Sequence, residues 1–399
     1  MKDTRCVLPW MHLASHPNGG VSLCCRSNHT NAVSWAMKPN STELQTFDNT
    51  AIATIANSDT FIRVRQAMLD GKEPVECEGC WKDEAAGLVS KRMYENQRWA
   101  HVIPELEQTA YLRKPNYRYI ELRLGNVCNN ACVTCNSFSS SKWYTDEVKI
   151  AKELPWFKLR PMENFKWHDR AEFYNELATL SNDVEEIYIN GGEPTLIKAH
   201  FGYLEKLIES GQSQQVHLVY SLNMMDIPDR LADLWQNFKK VTVNCSVDDY
   251  GPRNFYIRWP SNWADTVSSI RKINSIPTVD WHVTQTVSIF NIFNLSMLDD
   301  WLNYSFGKST THNFVLYPDY LSLQAIPAEL KPLIKSKYQN SFDNYKRNEL
   351  FAKLNMLWQP ELTIRANEFI KALDKSRNLH FRDYVPELER ILNANTKEY

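Results

Sequence analysis

The sequence predicts an α/β chain built on parallel strands, and three observations carry that expectation. Short apolar or alternating runs recur at residues 117–124, 184–189, 216–222, 241–247, 281–289 and 312–317. Polar breaks and longer stretches of mixed polarity separate them, which is the strand, loop and helix rhythm of parallel βα units. At 399 residues the chain is long enough for a full-sized core and more than one domain.

The first run is rich in aromatic and aliphatic residues and stops at Gly125 and Asn126, a loop signal. The second run leads into Asn190-Gly191-Gly192-Glu193-Pro194. Two glycines allow a backbone to approach a ligand without a Cβ in the way, and a carboxylate offers an acceptor for an ammonium group. By itself the same string also reads as a turn into a helix with Pro194 at its first position. The third run ends at Ser221 and Asn223, polar groups at a strand end. The fourth carries Cys245, expected as plain core, and is followed by Asp248 and Arg258. Residues 158–169 mix proline, tryptophan and both charges and read as an insertion or lid. Beyond residue 320, apolar residues at helical spacing predict a helical extension.

Composition narrows the class. Charge is nearly balanced at −2, so no basic field points to nucleic acid. No apolar run approaches the length of a membrane span, and the first residues lack the apolar centre of a signal peptide. The expected location is the cytoplasm. In that reducing compartment nine cysteines, an odd number, argue for metal ligands over disulfides.

Three of them, Cys128, Cys132 and Cys135, follow the first strand at C-x3-C-x2-C spacing. An all-cysteine iron-sulfur cubane takes four thiolates, so a compact triad leaves one iron open to a non-protein ligand. A zinc site is the competing reading, but zinc is closed by four ligands and usually shows paired spacing. A second set lies upstream. Pro17-Asn-Gly-Gly20 is a hairpin turn between two short runs, which would return Cys24 towards Cys6. Cys77-Glu-Gly-Cys80 is a knuckle that offers two thiolates to one metal, as zinc or as an iron-sulfur cluster.

The triad followed by Gly191-Gly192-Glu193-Pro194 resembles the radical S-adenosylmethionine superfamily. That resemblance implies a partial (β/α)6 barrel and a 4Fe-4S cluster held by Cys128, Cys132 and Cys135. The open iron would chelate S-adenosylmethionine, with Gly191, Gly192 and Glu193 at the methionine amine. It further implies Ser221 and Asn223 as ribose contacts, and Arg258 as partner of the methionine carboxylate. Where the family usually has an aromatic before the third cysteine, this chain has Thr134.

The upstream spacing resembles the auxiliary-cluster modules called twitch and SPASM, the shorter twitch form in particular. That implies a second, auxiliary 4Fe-4S cluster on Cys6, Cys24, Cys77 and Cys80, with Cys25 as the alternative to Cys24. Relatives carry this module after the barrel, and here it comes first. The implied organisation is an N-terminal auxiliary module over residues 1–112, the barrel over 113–318 and a helical C-terminal extension over 319–399. The implied activity is reductive cleavage of S-adenosylmethionine to a 5′-deoxyadenosyl radical that abstracts hydrogen, foremost from a peptide or protein side chain. A small-molecule or nucleotide-modifying dehydrogenase is the alternative, and a non-catalytic zinc-binding protein is the reading from another class. The electron donor would be of flavodoxin or ferredoxin type.

Overall fold

The computed structural model describes residues 3–28, 33–106 and 108–393. Its framework is one eight-stranded sheet, formed by β1 (His12–Ser15), β2 (Val21–Ser22), β3 (Tyr119–Arg123), β4 (Glu186–Asn190), β5 (His217–Leu222), β6 (Lys240–Ser246), β7 (Val279–Val287) and β8 (Thr310–Phe314). The strand order is β2-β1-β3-β4-β5-β6-β7-β8. The pairs β1–β3, β3–β4, β4–β5 and β7–β8 run parallel, and β1–β2 is an antiparallel hairpin. All six expected strands are present. This is the mixed α/β architecture of a partial barrel with a helical C-terminal region.

One feature differs from the expectation. The N-terminal hairpin does not stand apart from the sheet. His12, Leu13 and Ala14 pair in register with Tyr119, Ile120 and Glu121. Every residue of β1 is buried. Its polar members are accommodated individually: His12 stacks on Tyr119 with ring centroids 4.1 Å apart, and its Nδ1 lies 3.1 Å from the Tyr119 carbonyl.

The chain divides into two compact units. The first comprises residues 1–126, 164–220 and 233–241. Helix Asp59–Leu69 starts at an N-cap, Ser58, whose hydroxyl accepts from the Phe61 N–H. From this helix the fully buried Arg65 donates to the carbonyls of Pro9, Ala56 and Ala110 and to the Asn57 side chain. One guanidinium thus ties together three separate segments, two of them short helices at Leu8–Met11 and Ile52–Ile55.

The second unit comprises residues 127–163, 221–232 and 242–399. Its core joins the extension to the strand-loop-helix segments through Trp143, Ile150, Tyr256, Phe290, Leu362 and Phe369, among others. Helix Pro360–Arg377 opens with Pro360 at its first turn and closes on Asn378 in the left-handed region at φ +52°. Of the extension, residues 394–399 lie outside the described residues. Among the described residues no helix is long and apolar enough to cross a membrane.

Candidate metal and cofactor sites

In the first unit, Cys6, Cys24, Cys77 and Cys80 line one small cavity, together with Lys91 and Arg92. None of the cysteines in the chain forms a disulfide. The hairpin turn uses the glycine of the Asn-Gly pair: Gly19 has φ +76°, its N–H donates to the His16 carbonyl, and the His16 N–H donates to the Gly20 carbonyl. Cys77 is the residue before helix Glu78–Ala85, and Cys80 sits in that helix's first turn. A separation of three residues puts the two side chains on one side of the turn.

Burial is the main influence holding the Cys24 thiol up at about 12, and burial likewise raises Cys6 and Cys77, each reinforced by its neighbouring thiols. Lys91 and Arg92 supply positive charge beside them. Arg92 is fixed by a bidentate ion pair with Glu84 and by the Arg5 carbonyl. Cys25 is exposed and does not line this cavity. The cavity measures about 20 Å³. Among the described residues no three Cys, His, Asp or Glu side chains are placed to hold a metal ion. The donor set itself, four thiols around one space with two cations, is chemically suited to an anionic thiolate cluster.

The same unit contains the glycine pair. β4 ends at Asn190, whose carbonyl accepts from the Leu124 N–H. Gly191 then turns at φ +82° and Gly192 at φ +47°. A Cβ on Gly191 would stand 2.7 Å from the Arg123 backbone, so only glycine fits this crossing. Glu193 is buried and accepts from the Thr195 N–H at 3.2 Å and its hydroxyl at 3.0 Å, capping the short turn Pro194–Leu196. The turn that the two glycines allow is present at this position, and the Glu193 carboxylate bonds within it to Thr195.

In the second unit, the loop 128–135 is strapped on several sides. The N–H groups of Ala131 and Val133 donate to the carbonyls of Trp259 and Ile257. The Trp143 indole donates to the Cys132 carbonyl at 2.7 Å, and the Asn130 N–H lies 3.4 Å from the Cys128 sulfur. All three thiols are partly buried. Burial pushes Cys135 up to about 12, and Cys132 and Cys128 add to that through their own charge. Burial also raises Cys132, while Arg258 opposes it. The remaining cysteine of this unit, Cys245, is buried within β6 with its thiol towards the Val243 carbonyl.

Arg258 is buried and donates to Asp248 at 3.0 Å. Burial alone would lower its pKa, but the charges of Cys132 and Asp248 outweigh that and raise it. Its Nε and both amide atoms of Asn130 are buried without a hydrogen-bond partner. Asn223 donates to Asn129 at 2.6 Å, and Ser221 accepts from Asn244 at 3.3 Å. Three thiols on one fixed loop, an unspent guanidinium N–H and an unspent amide fit a cluster with a polar ligand beside it.

Two features of this unit have no motif in the sequence. Arg377, the last residue of helix Pro360–Arg377, donates to the Ala131 carbonyl at 2.6 Å, and Asp146 anchors it at 2.9 Å. A cavity of about 570 Å³ has Val133, Cys135 and Asn136 on its lining, with Trp156, Phe157 and Tyr320 among its walls. Lys158, Arg160 and Pro161, from the segment expected as a lid, also line it. Further along that segment, Trp167 is buried in the first unit and donates to the Pro17 carbonyl.

Fold and side chains therefore describe an α/β protein with two groups of free cysteines. Residues 122–303, which contain both the triad and the glycine pair, match the Radical SAM superfamily model, and the chain carries a radical SAM domain. A GTP 3′,8-cyclase of Haemophilus ducreyi is 28% identical over 142 residues, which are 35% of this chain and 36% of that protein. This chain thus spans about a third of that curated relative. Among solved structures, native anSMEcpe with bound AdoMet gives 16% identity and a TM-score of 0.37 over 58% of this chain and 61% of that one. Streptococcus suis SuiB bound to precursor peptide SuiA gives 12% identity and a TM-score of 0.35 over 82% and 64%.

Proposed function

We propose that this chain is a radical S-adenosylmethionine enzyme that acts on a peptide or protein side chain. The observation that carries the reading is the loop with Cys128, Cys132 and Cys135, matched within a radical SAM domain, in a unit whose other cysteine is committed to the core. Those three residues would hold a 4Fe-4S cluster. When bound, the cluster and S-adenosylmethionine supply one-electron cleavage and a 5′-deoxyadenosyl radical able to abstract hydrogen.

The chain's own contribution is binding, orientation and exclusion of water. Gly191 and Gly192 would leave the backbone open to the methionine end, and Glu193 would accept from its ammonium. Arg258, held by Asp248, would pair with the carboxylate, and Ser221 and Asn223 would contact the ribose. Cys6, Cys24, Cys77 and Cys80 would hold the auxiliary cluster of a twitch-like module, with Lys91 and Arg92 offsetting its negative charge. A peptide is favoured because the 570 Å³ cavity has aromatic walls, and Leu159, Met162, Leu316 and Tyr317 are exposed in the same unit. Cavities of this size take side chains or small ligands. The similarity to a GTP 3′,8-cyclase favours the second reading, a nucleotide-modifying enzyme.

Anaerobically reconstituted protein with a strong reductant should convert S-adenosylmethionine to 5′-deoxyadenosine, and Cys128→Ala should not. Normal cleavage by that variant, or a colourless wild type carrying stoichiometric zinc, would end the proposal. A deuterated peptide mixture should pass deuterium into 5′-deoxyadenosine where unlabelled peptides do not. Transfer from deuterated GTP in its place would select the second reading.

A further inference from the structure

Helix Pro360–Arg377 belongs to the C-terminal extension, yet its last side chain ends at the cysteine loop. The Arg377 guanidinium is almost wholly buried. It donates from Nη2 to the Ala131 carbonyl at 2.6 Å and from Nε to Asp146 at 2.9 Å. It also lies over two indoles, 5.0 Å from the Trp143 ring and 4.8 Å from the Trp259 ring.

Each of those neighbours touches the loop independently. Trp143 donates to the Cys132 carbonyl, and the Trp259 carbonyl accepts from the Ala131 N–H. Asp146 is held from the same helix end, because the Ser376 hydroxyl donates to its other oxygen at 2.5 Å. Lys149, one turn on, donates to the Ser376 carbonyl at 3.0 Å. A planar fork that binds a carboxylate and a carbonyl while sandwiched between aromatic rings has little freedom. Three residues before the loop's last cysteine, Cys132 follows Ala131, whose carbonyl Arg377 binds, and its own carbonyl accepts from Trp143, whose ring lies 5.0 Å from the guanidinium.

We propose that Arg377 is a positioning residue for the catalytic cluster, clamping the segment between Cys128 and Cys132 and placing a permanent positive charge beside it. The inference rests on the reading that the triad holds a cluster. A cation fixed there stabilises the more negative, reduced state of a thiolate-ligated cluster. The extension is then a working part of the cofactor site. Asp146 and Ser376 hold the clamp in register.

The test compares wild type with Arg377→Ala, Arg377→Lys and Asp146→Asn, all in the full chain after anaerobic reconstitution. Two quantities are read: the rate of iron loss to a chelator, and the midpoint potential of the reduced-cluster signal that responds to added S-adenosylmethionine. Arg377→Ala should lose that iron at least tenfold faster and shift the potential negative. Arg377→Lys keeps the charge and should restore the potential, while remaining faster to lose iron because it lacks the fork. Asp146→Asn, which leaves the arginine in place, should speed iron loss several-fold and supplies the comparison if Arg377→Ala does not fold. Wild-type retention and potential in all three variants would overturn the clamp, as would faster iron loss with equal potentials in the alanine and lysine variants. A wild type that binds no iron at the triad would overturn the cluster reading itself.

Discussion

Asp248 and Asp249 are adjacent carboxylates, both fully buried, that meet opposite fates. Asp248 is paired with Arg258 and accepts from the Thr286 N–H at 2.8 Å. Removing one partner of a buried ion pair strands the other, which costs about 3–5 kcal/mol. Asp248→Ala should lower unfolding stability by that amount, read from the urea midpoint, and an unchanged midpoint would show that Arg258 finds another partner. Among the described residues no cation is bonded to Asp249. Burial lifts its pKa to about 7, against hydrogen bonds from Tyr250 and Asn294 that pull it down. Between the ordinary aspartate value of 3.8 and about 7 the folded chain binds a proton that the unfolded chain has released. Stability contributed by this group is therefore complete below the lower value and falls as pH rises through the window, by up to about 1.4 kcal/mol per pH unit. Asp249→Asn cannot titrate. Relative to wild type it should gain on the order of 1–3 kcal/mol between pH 5 and pH 8, and parallel stability profiles would exclude the shift.

At the scale of elements, the six parallel strands and the hairpin turn were legible because each rests on local pattern. Alternation and β-branching mark β3 to β8, and the Asn18-Gly19 pair supplies the positive φ that the turn uses. What the pattern could not show is that β1 joins the sheet beside β3. Its sequence, His-Leu-Ala-Ser, carries polar residues on a strand that is buried throughout, and β3 supplies their partners, the Tyr119 carbonyl for His12 and the Arg123 N–H for the Ser15 hydroxyl. The triad and knuckle were legible as spacings. Arg377 was not, because it meets Ala131 across 246 residues and nothing near either residue announces the contact. The cavity beside Cys135 was equally silent, since its lining comes from segments near residues 135, 158, 318 and 365. The Asn190–Pro194 turn is sensitive to a single change. Gly191→Ala would combine left-handed backbone with a methyl group 2.7 Å from Arg123. A loss of about 1–3 kcal/mol follows from the strain alone. The corresponding change at Gly87, also at positive φ but with nothing within 4 Å of a Cβ, should cost less. Equal losses at the two positions would mean that the close approach at Gly191 is not tight in solution.

At the scale of the molecule, the two groups of cysteines fall in separate units. Cys6, Cys24, Cys77 and Cys80 belong to the first and Cys128, Cys132 and Cys135 to the second. Each group is supported by its own cations, Lys91 and Arg92 in one case and Arg258 and Arg377 in the other. Two thiolate sets with separate supports should load and empty independently, which makes iron content additive. Fully reconstituted wild type should carry about eight irons and eight sulfides per chain if both groups hold cubanes. Cys77→Ala with Cys80→Ala should retain about four, together with the signal that responds to S-adenosylmethionine, and Cys128→Ala with Cys132→Ala should retain about four without it. Because a metal centre that forms only in the folded chain contributes its binding energy to stability, each depleted variant should also melt at a lower temperature than the loaded wild type. The outcome is decided by the first pair of variants. If removing the knuckle leaves iron, sulfide and melting temperature untouched, the upstream thiols hold no cluster. Zinc at one equivalent per chain, lost with the same two substitutions, would assign them to a structural ion.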